Sequence, residues 1–420
     1  MNINTDRFWK RHNEISDIGK NPEEGTGISR FAWTPEYKEA MVLLISWMQQ
    51  AGMKVWIDTV GNLYGRLEGT DPEAPAVLTG SHLDTVPCGG KYDGILGVTS
   101  ALEALQTIVD QKITHKRPIE MIAFVNEEAS QFLGGHFGSK AMCGMHDADH
   151  AKKTFHRYTG QSLHDAMIEF GMGLNPDNYA GSIINPEKYY AFLELHIEQG
   201  QYLLKKNLPM SVVTSVAGIK QFYITFHGIS CHSGGMAMAD RHDAMAAAAA
   251  TACEVIRLAN ESGSPTRGTV GYIEAYPAEH NIVANKAIVP VDFREDKDEI
   301  WAQLYTDLIR FVEKQCERFK VTYDVRITID TAPAHCNPKI IGMIDNIATE
   351  CGVPHDQMIS YPAHDAMQLA TLMPFGMIFV RSSNEGRSHC PEELTTKEDA
   401  AVSAEVLFKS IVRLANEDIL

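Results

Sequence analysis

A histidine and two aspartates lie among glycines in the segment SHLDTVPCGGKYDGILG, which runs from Ser81 to Gly97. His82 and Asp84 come directly after the apolar run Ala76–Leu78, and Asp93 follows in the same segment. Polar residues after a strand often form nothing more than a solvated turn. The same residue types can also bind a metal ion or transfer a proton. This segment alone does not distinguish a turn from a catalytic cluster.

Three further stretches place ionisable residues after apolar runs or in polar loops. Glu127 and Glu128 are adjacent in FVNEEASQF, His196 follows the apolar pattern of FLELHIEQG, and His389 lies in GRSHCPEELT. Taken singly, a pair of glutamates usually belongs to a solvated surface, and a single histidine is usually a hydrogen-bonded structural residue. Their repeated position at strand ends and in loops favours a shared site.

Imidazole and carboxylate are the ligands that borderline divalent metals accept. The four stretches together supply five candidate ligands, namely His82, Asp93, Glu128, His196 and His389. Five ligands exceed the usual set of one catalytic zinc, but they serve two metals if one carboxylate bridges. Asp93 suits the bridging position, because the neighbouring Gly89, Gly90 and Gly94 let the backbone bend around it.

Two carboxylates near these ligands are not needed to bind metal. Asp84 lies two residues from His82, on the same side of an extended chain, and can hydrogen-bond the second imidazole nitrogen. Glu127 is next to a candidate ligand and is left free to act as a general base. The sequence therefore predicts an orienting aspartate and a catalytic glutamate beside the metals.

The first half of the chain alternates helical and strand patterns. EYKEAMVLLISWMQQAG has helical spacing and ends at Gly52, and KVWIDTVGNLYGRLEG is typical of a hairpin. AVLTG, the helical DGILGVTSALEALQTIVD and IEMIAFVNEE form a strand–helix–strand unit, which favours a mostly parallel sheet. In such sheets, sites gather at the carboxyl ends of the strands, where His82 and Glu127 fall.

The middle of the chain predicts a separate small domain. QFYITFHG, an alanine-rich helix, GTVGYIEAY, AIVPVDFRE, a second helix and KVTYDVRITID follow the β-α-β-β-α-β order of ferredoxin-like folds. This pattern spans residues 211–329. We therefore expect an α/β protein in which residues 1–210 and 330–420 form one domain and 211–329 form an inserted one.

Composition excludes several classes of protein. The chain has 420 residues, with 54 acidic and 37 basic side chains and a formal net charge of −17. No basic cluster suggests nucleic-acid binding, and no apolar run approaches membrane-spanning length. The polar first residues lack the apolar core of a signal peptide, and the eight cysteines are scattered. We expect a cytoplasmic protein whose cysteines are reduced and mostly buried.

In combination, GSHLDTVPCGGKYDGILGV, ELHIEQG and SHCPEE resemble the M20 metallopeptidase superfamily. More narrowly, the chain resembles the branch containing N-carbamoyl-L-amino acid hydrolase, allantoate amidohydrolase and β-ureidopropionase. The histidine at position 196 marks this branch, since peptidase relatives usually have a carboxylate there. The resemblance covers nearly the whole chain. It implies a mixed-sheet, zinc-peptidase-like catalytic domain with an inserted ferredoxin-like lid and dimerisation domain.

The resemblance also assigns roles to the candidate residues. It implies two divalent ions per subunit, one held by His82, Asp93 and His196 and the other by Asp93, Glu128 and His389. Glu127 would take a proton from the attacking water and pass it to the leaving nitrogen, while Asp84 orients His82. Zinc, manganese and cobalt all accept this ligand set, so the sequence leaves the metal open.

Three residues of the inserted domain match substrate-binding positions of the branch. They are His232 in GISCHSGGMAMADRHDA, Asn281 in PAEHNIVAN and Arg294 in VDFRE. By resemblance, the arginine binds a substrate carboxylate, and the histidine and asparagine polarise the scissile carbonyl. In relatives, the histidine comes from the partner subunit, so a homodimer is expected.

The chain departs from the branch around the substrate but not at the metals. HSGGMAM, GIK, SYPAHDA and NIVAN replace the usual segments at these places. Hydrolysis of an N-carbamoyl-L-amino acid to amino acid, CO2 and ammonia is therefore the first expectation. Allantoate amidohydrolase and N-acyl amino acid amidohydrolase remain alternatives. A non-catalytic metal-binding protein on an inherited fold would need a lost ligand or base, and none is missing.

Overall fold

The protein forms two compact units in a computed structural model that describes residues 2–23 and 25–420. The larger unit comprises Met1–Thr214, Cys336–Met358 and His364–Leu420, and the smaller comprises Ser215–His335 and Ile359–Ala363. The smaller unit also takes in a short segment from the C-terminal part of the chain. The catalytic and lid or dimerisation roles assigned to the two predicted domains stay predictions.

The elements are numbered in chain order. The helices are α1 (Thr5–Ser16), α2 (Pro35–Gln50), α3 (Ile95–Asp110), α4 (Phe137–Met142), α5 (His150–Lys153), α6 (Leu163–Phe170), α7 (Tyr202–Lys206), α8 (Ala244–Glu261), α9 (Asp298–Phe319), α10 (Pro338–Glu350), α11 (Ala366–Leu369) and α12 (Lys397–Asn416). The strands are β1 (Lys54–Ile57), β2 (Leu63–Leu67), β3 (Ala76–His82), β4 (Ile119–Phe124), β5 (Tyr189–Ile197), β6 (Met210–Val216), β7 (Gly218–His227), β8 (Arg267–Thr269), β9 (Glu274–Tyr276), β10 (Lys286–Glu295), β11 (Thr322–Thr331), β12 (Ala334–His335), β13 (His355–Ser360) and β14 (Phe375–Val380).

The main sheet of the larger unit has a parallel centre and antiparallel edges. Its strands follow the order β1-β2-β4-β3-β5-β14-β6. β3 pairs in parallel with both β4 and β5, and β14 pairs in parallel with β5. β1 and β2 form an antiparallel hairpin, and β6 pairs antiparallel with β14. The predicted α/β class, the β3–α3–β4 unit and the hairpin are confirmed.

The helices of this unit cover an apolar sheet. β3, β4 and β14 are buried along their whole lengths, as expected for central parallel strands covered on both faces. The predicted helix that ends before Gly52 is confirmed as α2: Thr34 caps its start by accepting the N–H of Tyr37, and Gly52 takes a φ of 78° after it. This packing gives the loops at the strand ends a rigid base.

The smaller unit contains an antiparallel sheet with strand order β11-β7-β10-β8 and two long helices, α8 and α9. On β10, Val289, Val291 and Phe293 are buried, while residues between them are partly exposed. The buried residues belong to the same core cluster as apolar side chains of both helices. One face of this sheet therefore packs on the helices, and Arg294 lies on the other face.

The prediction of one continuous strand over GTVGYIEAY is wrong, because the segment forms two short strands. β8 pairs with Asp292–Arg294 of β10, and β9 pairs with Lys286–Ile288. Pro290 lies in the interval between these two pairings. Proline has no N–H to donate to a ladder, so the pairing is interrupted there.

The eight cysteines are free thiols, all within the part of the chain that the structure describes. The expectation that most are buried is wrong: Cys316 and Cys336 are buried, but Cys88 and Cys253 are exposed and the rest are intermediate. Among the described residues, no helix is both long enough and apolar enough to cross a bilayer.

Candidate metal centre

The predicted ligands come from neighbouring strands of the main sheet. His82 is the last residue of β3, and β4, paired with it, leads into Glu127 and Glu128. His196 lies inside β5 rather than after it, paired with Phe379 of β14. Because these strands run in parallel, their carboxyl ends meet at one edge of the sheet. The sheet therefore brings together side chains that are far apart in sequence.

Asp93 lies at the centre of the cluster, just before α3. Its Oδ1 is 3.0 Å from Nε2 of His196 and 3.5 Å from Nε2 of His82. Its Oδ2 is 3.0 Å from Nε2 of His389, which in turn is 3.3 Å from Oε1 of Glu128. One buried carboxylate thus lies close to three imidazoles.

The donor atoms fall into compact groups suited to metal ions. His82, Asp93 and His196 form one group, and Asp93, Glu128 and His389 form another; within each group the ligand atoms lie within 4.8 Å of one another. Asp93 belongs to both groups. His82 also groups with Glu127 and Glu128. These are the two ligand sets that the family resemblance implies, with Asp93 shared.

Main-chain carbonyl groups fix the orientation of two of the histidine rings. Nδ1 of His82 donates to the carbonyl oxygen of Asp84 (3.0 Å), and Nδ1 of His196 donates to that of Ile197 (3.0 Å). A bond of this kind selects the tautomer with its lone pair on Nε2, the form that can bind a metal. In His196 this nitrogen also accepts the main-chain N–H of Gly94 (3.2 Å). Oε1 of Glu128 is buried, and Nε2 of His389 lies 3.3 Å from it. The residues present therefore fit a pair of divalent cations.

Electrostatics also indicate a place for added positive charge. Burial alone would raise the pKa of Asp93, but the adjoining imidazoles hold it well below its usual range. Burial raises the pKa of Glu128 to about 7, and the charge on Asp93 adds to this. Burial lowers the pKa of His389, but Asp93 and Glu128 together raise it to about 11. The buried carboxylates of this cluster therefore depend on positive charge beside them.

Gly94 is required for the close approach of the ligand loop to His82. It has a φ of 66°, in the left-handed region that favours glycine. A Cβ at this position would lie 2.3 Å from Cε1 of the His82 ring. Gly89 and Gly90 are not among the residues with positive φ. A Cβ on Gly90 would nevertheless lie 2.3 Å from Cβ of Glu393, so Gly90 is also needed for close approach in this loop.

Glu127 is buried beside the cluster. Its Oε1 lies 3.0 Å from Nε2 of His136. Burial would raise the pKa of Glu127, but the charges of His136 and His82 outweigh burial and lower it to about 2. The side chain is therefore ionised at neutral pH, as a proton acceptor must be.

Comparison with known proteins identifies the family. The sequence model of peptidase family M20/M25/M40 matches residues 78–413. The chain belongs to this family. Among its M20 relatives, an N-carbamoyl-L-amino acid amidohydrolase of Geobacillus stearothermophilus is 37% identical over 98% of this chain and 99% of its own length. An allantoate amidohydrolase of Bacillus subtilis is 30% identical over 93% of each chain.

A solved M20 structure extends the likeness to the whole fold. An amidase of the hydantoinase/carbamoylase family from Burkholderia multivorans has a TM-score of 0.89 and 29% sequence identity, with 99% of both chains covered. The predicted resemblance to the amidohydrolase branch is confirmed by these proteins. The predicted class, a hydrolase of carbon–nitrogen bonds in linear amides, is confirmed with it.

The structure of this M20 site lacks the predicted hydrogen bond between the Asp84 carboxylate and the His82 ring. Its Oδ1 is 3.8 Å from Nδ1 of His82, too far for a hydrogen bond. Its oxygens instead accept the main-chain N–H groups of Glu127 and Glu128, each at 3.1 Å. Asp84 does orient His82, but through its main-chain carbonyl. The return of β4 beside β3 supplies these two N–H donors, which sequence spacing could not show.

Sequence reasoning missed three side chains that hold Asp93. Nε2 of Gln199 donates to Oδ2 of Asp93 (2.8 Å), and Oγ of Ser388 donates to the same oxygen (3.1 Å). Oε1 of Glu393 accepts the main-chain N–H groups of Tyr92 and Asp93 (2.8 and 3.0 Å). All three lie within HIEQG or SHCPEE, so these motifs could have indicated them.

The predicted substrate residues all lie in the smaller unit. His232 and Asn281 are exposed and adjacent: the segment at His232 bridges to Ile282, and Ser233 donates its N–H to the carbonyl of Asn281 (2.9 Å). The structure therefore brings these two loops together. Their role in binding substrate stays a prediction.

Arg294 is held by its own unit. Its Nε and Nη2 each lie 3.2 Å from an oxygen of Asp292, and Nη1 donates to the carbonyl of Tyr361 (2.8 Å). An arginine has five N–H donors, so these bonds leave one on Nη1 and one on Nη2 unused. Arg294 can still bind a carboxylate through this end of the guanidinium.

Proposed function

We propose that this protein is a metal-dependent amidohydrolase that removes the carbamoyl group from an N-carbamoyl-L-amino acid. The observation that carries the proposal is the position of Asp93, shared by two groups of donor atoms. A carboxylate shared by both groups would let five side chains hold two divalent ions. The amidohydrolase relatives support the choice of substrate.

We assign the two ligand sets to two divalent cations per subunit, zinc or manganese. His82, Asp93 and His196 would hold one, and Asp93, Glu128 and His389 would hold the other. When bound, such ions lower the pKa of coordinated water and stabilise negative charge that develops on the attacked carbonyl. The donor set suits zinc, manganese or cobalt, so the choice is for metal analysis.

The chain itself moves the proton. Glu127 accepts a proton from the attacking water on one carboxylate oxygen and delivers it to the nitrogen of the departing amino acid. The carbon–nitrogen bond breaks, a new carbon–oxygen bond forms, and the released carbamate decomposes to CO2 and ammonia. The carboxylate of Asp84 holds Glu127 and Glu128 in position by accepting their main-chain N–H groups.

The smaller unit is proposed to bind the substrate. The unused N–H donors of Arg294 would pair with the amino acid carboxylate, which fixes the end of the molecule remote from the scissile bond. His232 and Asn281, which share one exposed region, would polarise the carbonyl. We further propose that the protein is a homodimer in which His232 serves the partner's site.

Allantoate is the second candidate substrate. The relative from Bacillus subtilis carries that activity in its name. Tyr361, whose carbonyl accepts from Arg294, lies in the SYPAHDA segment beside the proposed substrate-binding arginine. Allantoate also offers a carboxylate and a ureido group, so the same donors could hold it.

A substrate panel tests the proposal. Purified protein loaded with zinc or manganese is assayed against N-carbamoyl-L-amino acids, allantoate and N-acetyl-L-amino acids, with release of ammonia and of free amino acid measured separately. Ammonia and amino acid in equal amounts support the N-carbamoyl substrate. Amino acid without ammonia identifies an acylase, and no turnover of any linear amide rejects the proposal.

A further inference from the structure

The segment after β4 folds back on itself and brings His136 to Glu127. Main-chain hydrogen bonds join Gly138 N to Val125 O, Phe137 N to Asn126 O, and His136 N to Glu127 O, at 2.9, 3.1 and 2.8 Å. These three consecutive main-chain bonds fix the return of the chain. Residue 136 is therefore opposite residue 127 by the geometry of the backbone.

Two backbone features make this close approach feasible. A Cβ on Gly135 would lie 2.7 Å from the carbonyl oxygen of Glu127, closer than a Cβ can come, so a side chain there would push the segments apart. His136 itself has a φ of 60°, in the left-handed region, which few residues other than glycine adopt. The chain thus accepts an uncommon conformation at the residue that faces Glu127.

The imidazole of His136 faces the carboxylate of Glu127. Nε2 of His136 lies 3.0 Å from Oε1 of Glu127, and both side chains are largely buried, at 16% and 9% exposed. Within the described chain, this nitrogen is buried and has no hydrogen-bond partner besides Oε1 of Glu127. A buried donor with one carboxylate oxygen in reach and no competing acceptor can restrain that oxygen's position.

We propose that His136 is a positioning residue that holds Oε1 of Glu127 and turns Oε2 towards the metal-binding cluster. The inference rests on the proposed function, in which Glu127 is the general base. The general base must face the attacking water first and the leaving nitrogen afterwards. Proton transfer is faster when the carboxylate plane is fixed, because the same oxygen then faces both groups. His136 acts through Glu127 and does not itself touch the substrate.

Two substitutions separate this role from simple packing. His136→Leu keeps bulk and removes the donor, while His136→Gln keeps an N–H donor near the position of Nε2. His146→Leu is the matched control, because His146 also contacts this segment, with Nε2 3.2 Å from the carbonyl of Phe137, but does not reach Glu127. Each variant is prepared with full metal content, and kcat and KM are measured on the best substrate of the panel.

We expect His136→Leu to lower kcat about 10- to 100-fold, the change that follows loss of one hydrogen bond to a charged group. KM should stay within about 3-fold, because the residue acts on the base and not on binding. His136→Gln should recover most of kcat, and His146→Leu should resemble wild type. A crystal structure of metal-loaded His136→Leu should contain Glu127 in more than one rotamer, with the five ligands unmoved.

Other outcomes overturn the inference. Unchanged kcat in His136→Leu, or an equal loss in His146→Leu, means that the imidazole serves packing only. A rise in KM with kcat preserved means that His136 contacts the substrate. Failure of the proposed function itself is visible separately, because wild type would then turn over no linear amide or Glu127→Gln would remain active.

Discussion

Oδ2 of Asp84 lies 3.1 Å from the main-chain nitrogen of Glu128, and Oδ1 lies at the same distance from that of Glu127. One buried carboxylate therefore holds the peptide that joins the proposed base to a proposed ligand. The side chain of Asp84 is 1% exposed, so water does not substitute for it. Its contribution to the site is made through the backbone of other residues.

Asp84→Asn should weaken metal binding and activity together. The NH2 group of the asparagine would face one of the main-chain N–H groups that Asp84 now accepts. A buried donor left without an acceptor costs about 1–3 kcal/mol. We expect a loss of about 10- to 100-fold in metal affinity or in kcat/KM, as for other groups that orient metal ligands. Titration with a competing chelator measures the affinity.

Asp58→Asn is the matched control for Asp84→Asn. Asp58 is also a buried aspartate that accepts main-chain N–H groups, from Val60, Gly61 and Asn62, but it is not one of the grouped donors. Its substitution should lower the free energy of unfolding without a selective loss of metal. Equal metal affinity in Asp84→Asn and wild type would contradict the assigned role.

Removal of metal should both abolish activity and destabilise the fold. A ligand that binds only the native state at 100 times its dissociation constant adds about 2.7 kcal/mol to the free energy of unfolding. Calorimetry before and after exhaustive chelation measures the change in Tm, and re-addition of zinc or manganese should restore both quantities. Unchanged Tm and activity in metal-free protein would argue against the centre.

Glu127→Gln should abolish the chemistry while metals remain bound. The amide keeps the shape of the side chain but cannot accept a proton, and general bases contribute on the order of 10²–10⁴-fold. We expect kcat to fall by at least the lower figure, with metal content near two ions per chain by elemental analysis. A variant within a few-fold of wild type would remove Glu127 from the mechanism.

His12 should make the stability of the protein depend on pH. Its ring is fully buried, with Nδ1 3.1 Å from Oγ1 of Thr99, and burial lowers its pKa from 6.5 to about 3. Between these two values, the unfolded chain binds a proton that the folded chain does not. The contribution of His12 to the free energy of unfolding is therefore fully present above about pH 6.5 and is lost as the pH decreases towards 3.

Urea unfolding between pH 4.5 and 7.5 measures this slope, which should reach at most roughly 1.4 kcal/mol per pH unit from one group. His12→Gln should flatten it, whereas the same substitution at the exposed His280 should not. An identical slope in His12→Gln and wild type would mean that other groups control the acid response.

Inactive subunits should complement each other if His232 acts across a dimer. In a heterodimer of Glu127→Gln and His232→Ala chains, one site contains both an intact Glu127 and an intact partner histidine. Heterodimers are isolated by two affinity tags, one on each chain. We expect them to have about half of the activity of a wild-type dimer, because one of their two sites is intact. Light scattering should report a dimer, and inactive heterodimers would place His232 in its own subunit's site.

The sequence was sufficient to predict which side chains lie together, because residue type and position agreed, and their role as ligands stays a prediction. His82 and His196 end apolar strand patterns, and parallel strands carry such ends to one edge. The carboxylate contacts of Asp84 could not be predicted, since they depend on the pairing of His82 with Phe124 across β3 and β4. Local spacing favoured His82 as the partner of the Asp84 carboxylate. The pairing of β3 with β4 instead places the main-chain N–H groups of Glu127 and Glu128 there.

The same limit applies in the smaller unit. Alternating apolar residues predicted the strands on either side of α8 and α9, but not the break between β8 and β9. That break depends on where Pro290 of β10 falls against the neighbouring segment. The contact between His136 and Glu127 was also beyond reach, because it follows from a left-handed backbone that the letters GGH do not specify.

The parallel pairing of β14 with β5 has a consequence for how the protein is made. His389 follows β14, so the second group of donors stays incomplete until nearly all of the chain has left the ribosome. A nascent chain that captured a metal earlier could use only the groups that lack His389, which are His82 with Asp93 and His196, and His82 with Glu127 and Glu128. If the five candidate ligands hold two ions, full loading must follow translation, and expression in metal-depleted cells should yield folded protein that acquires its ions after purification.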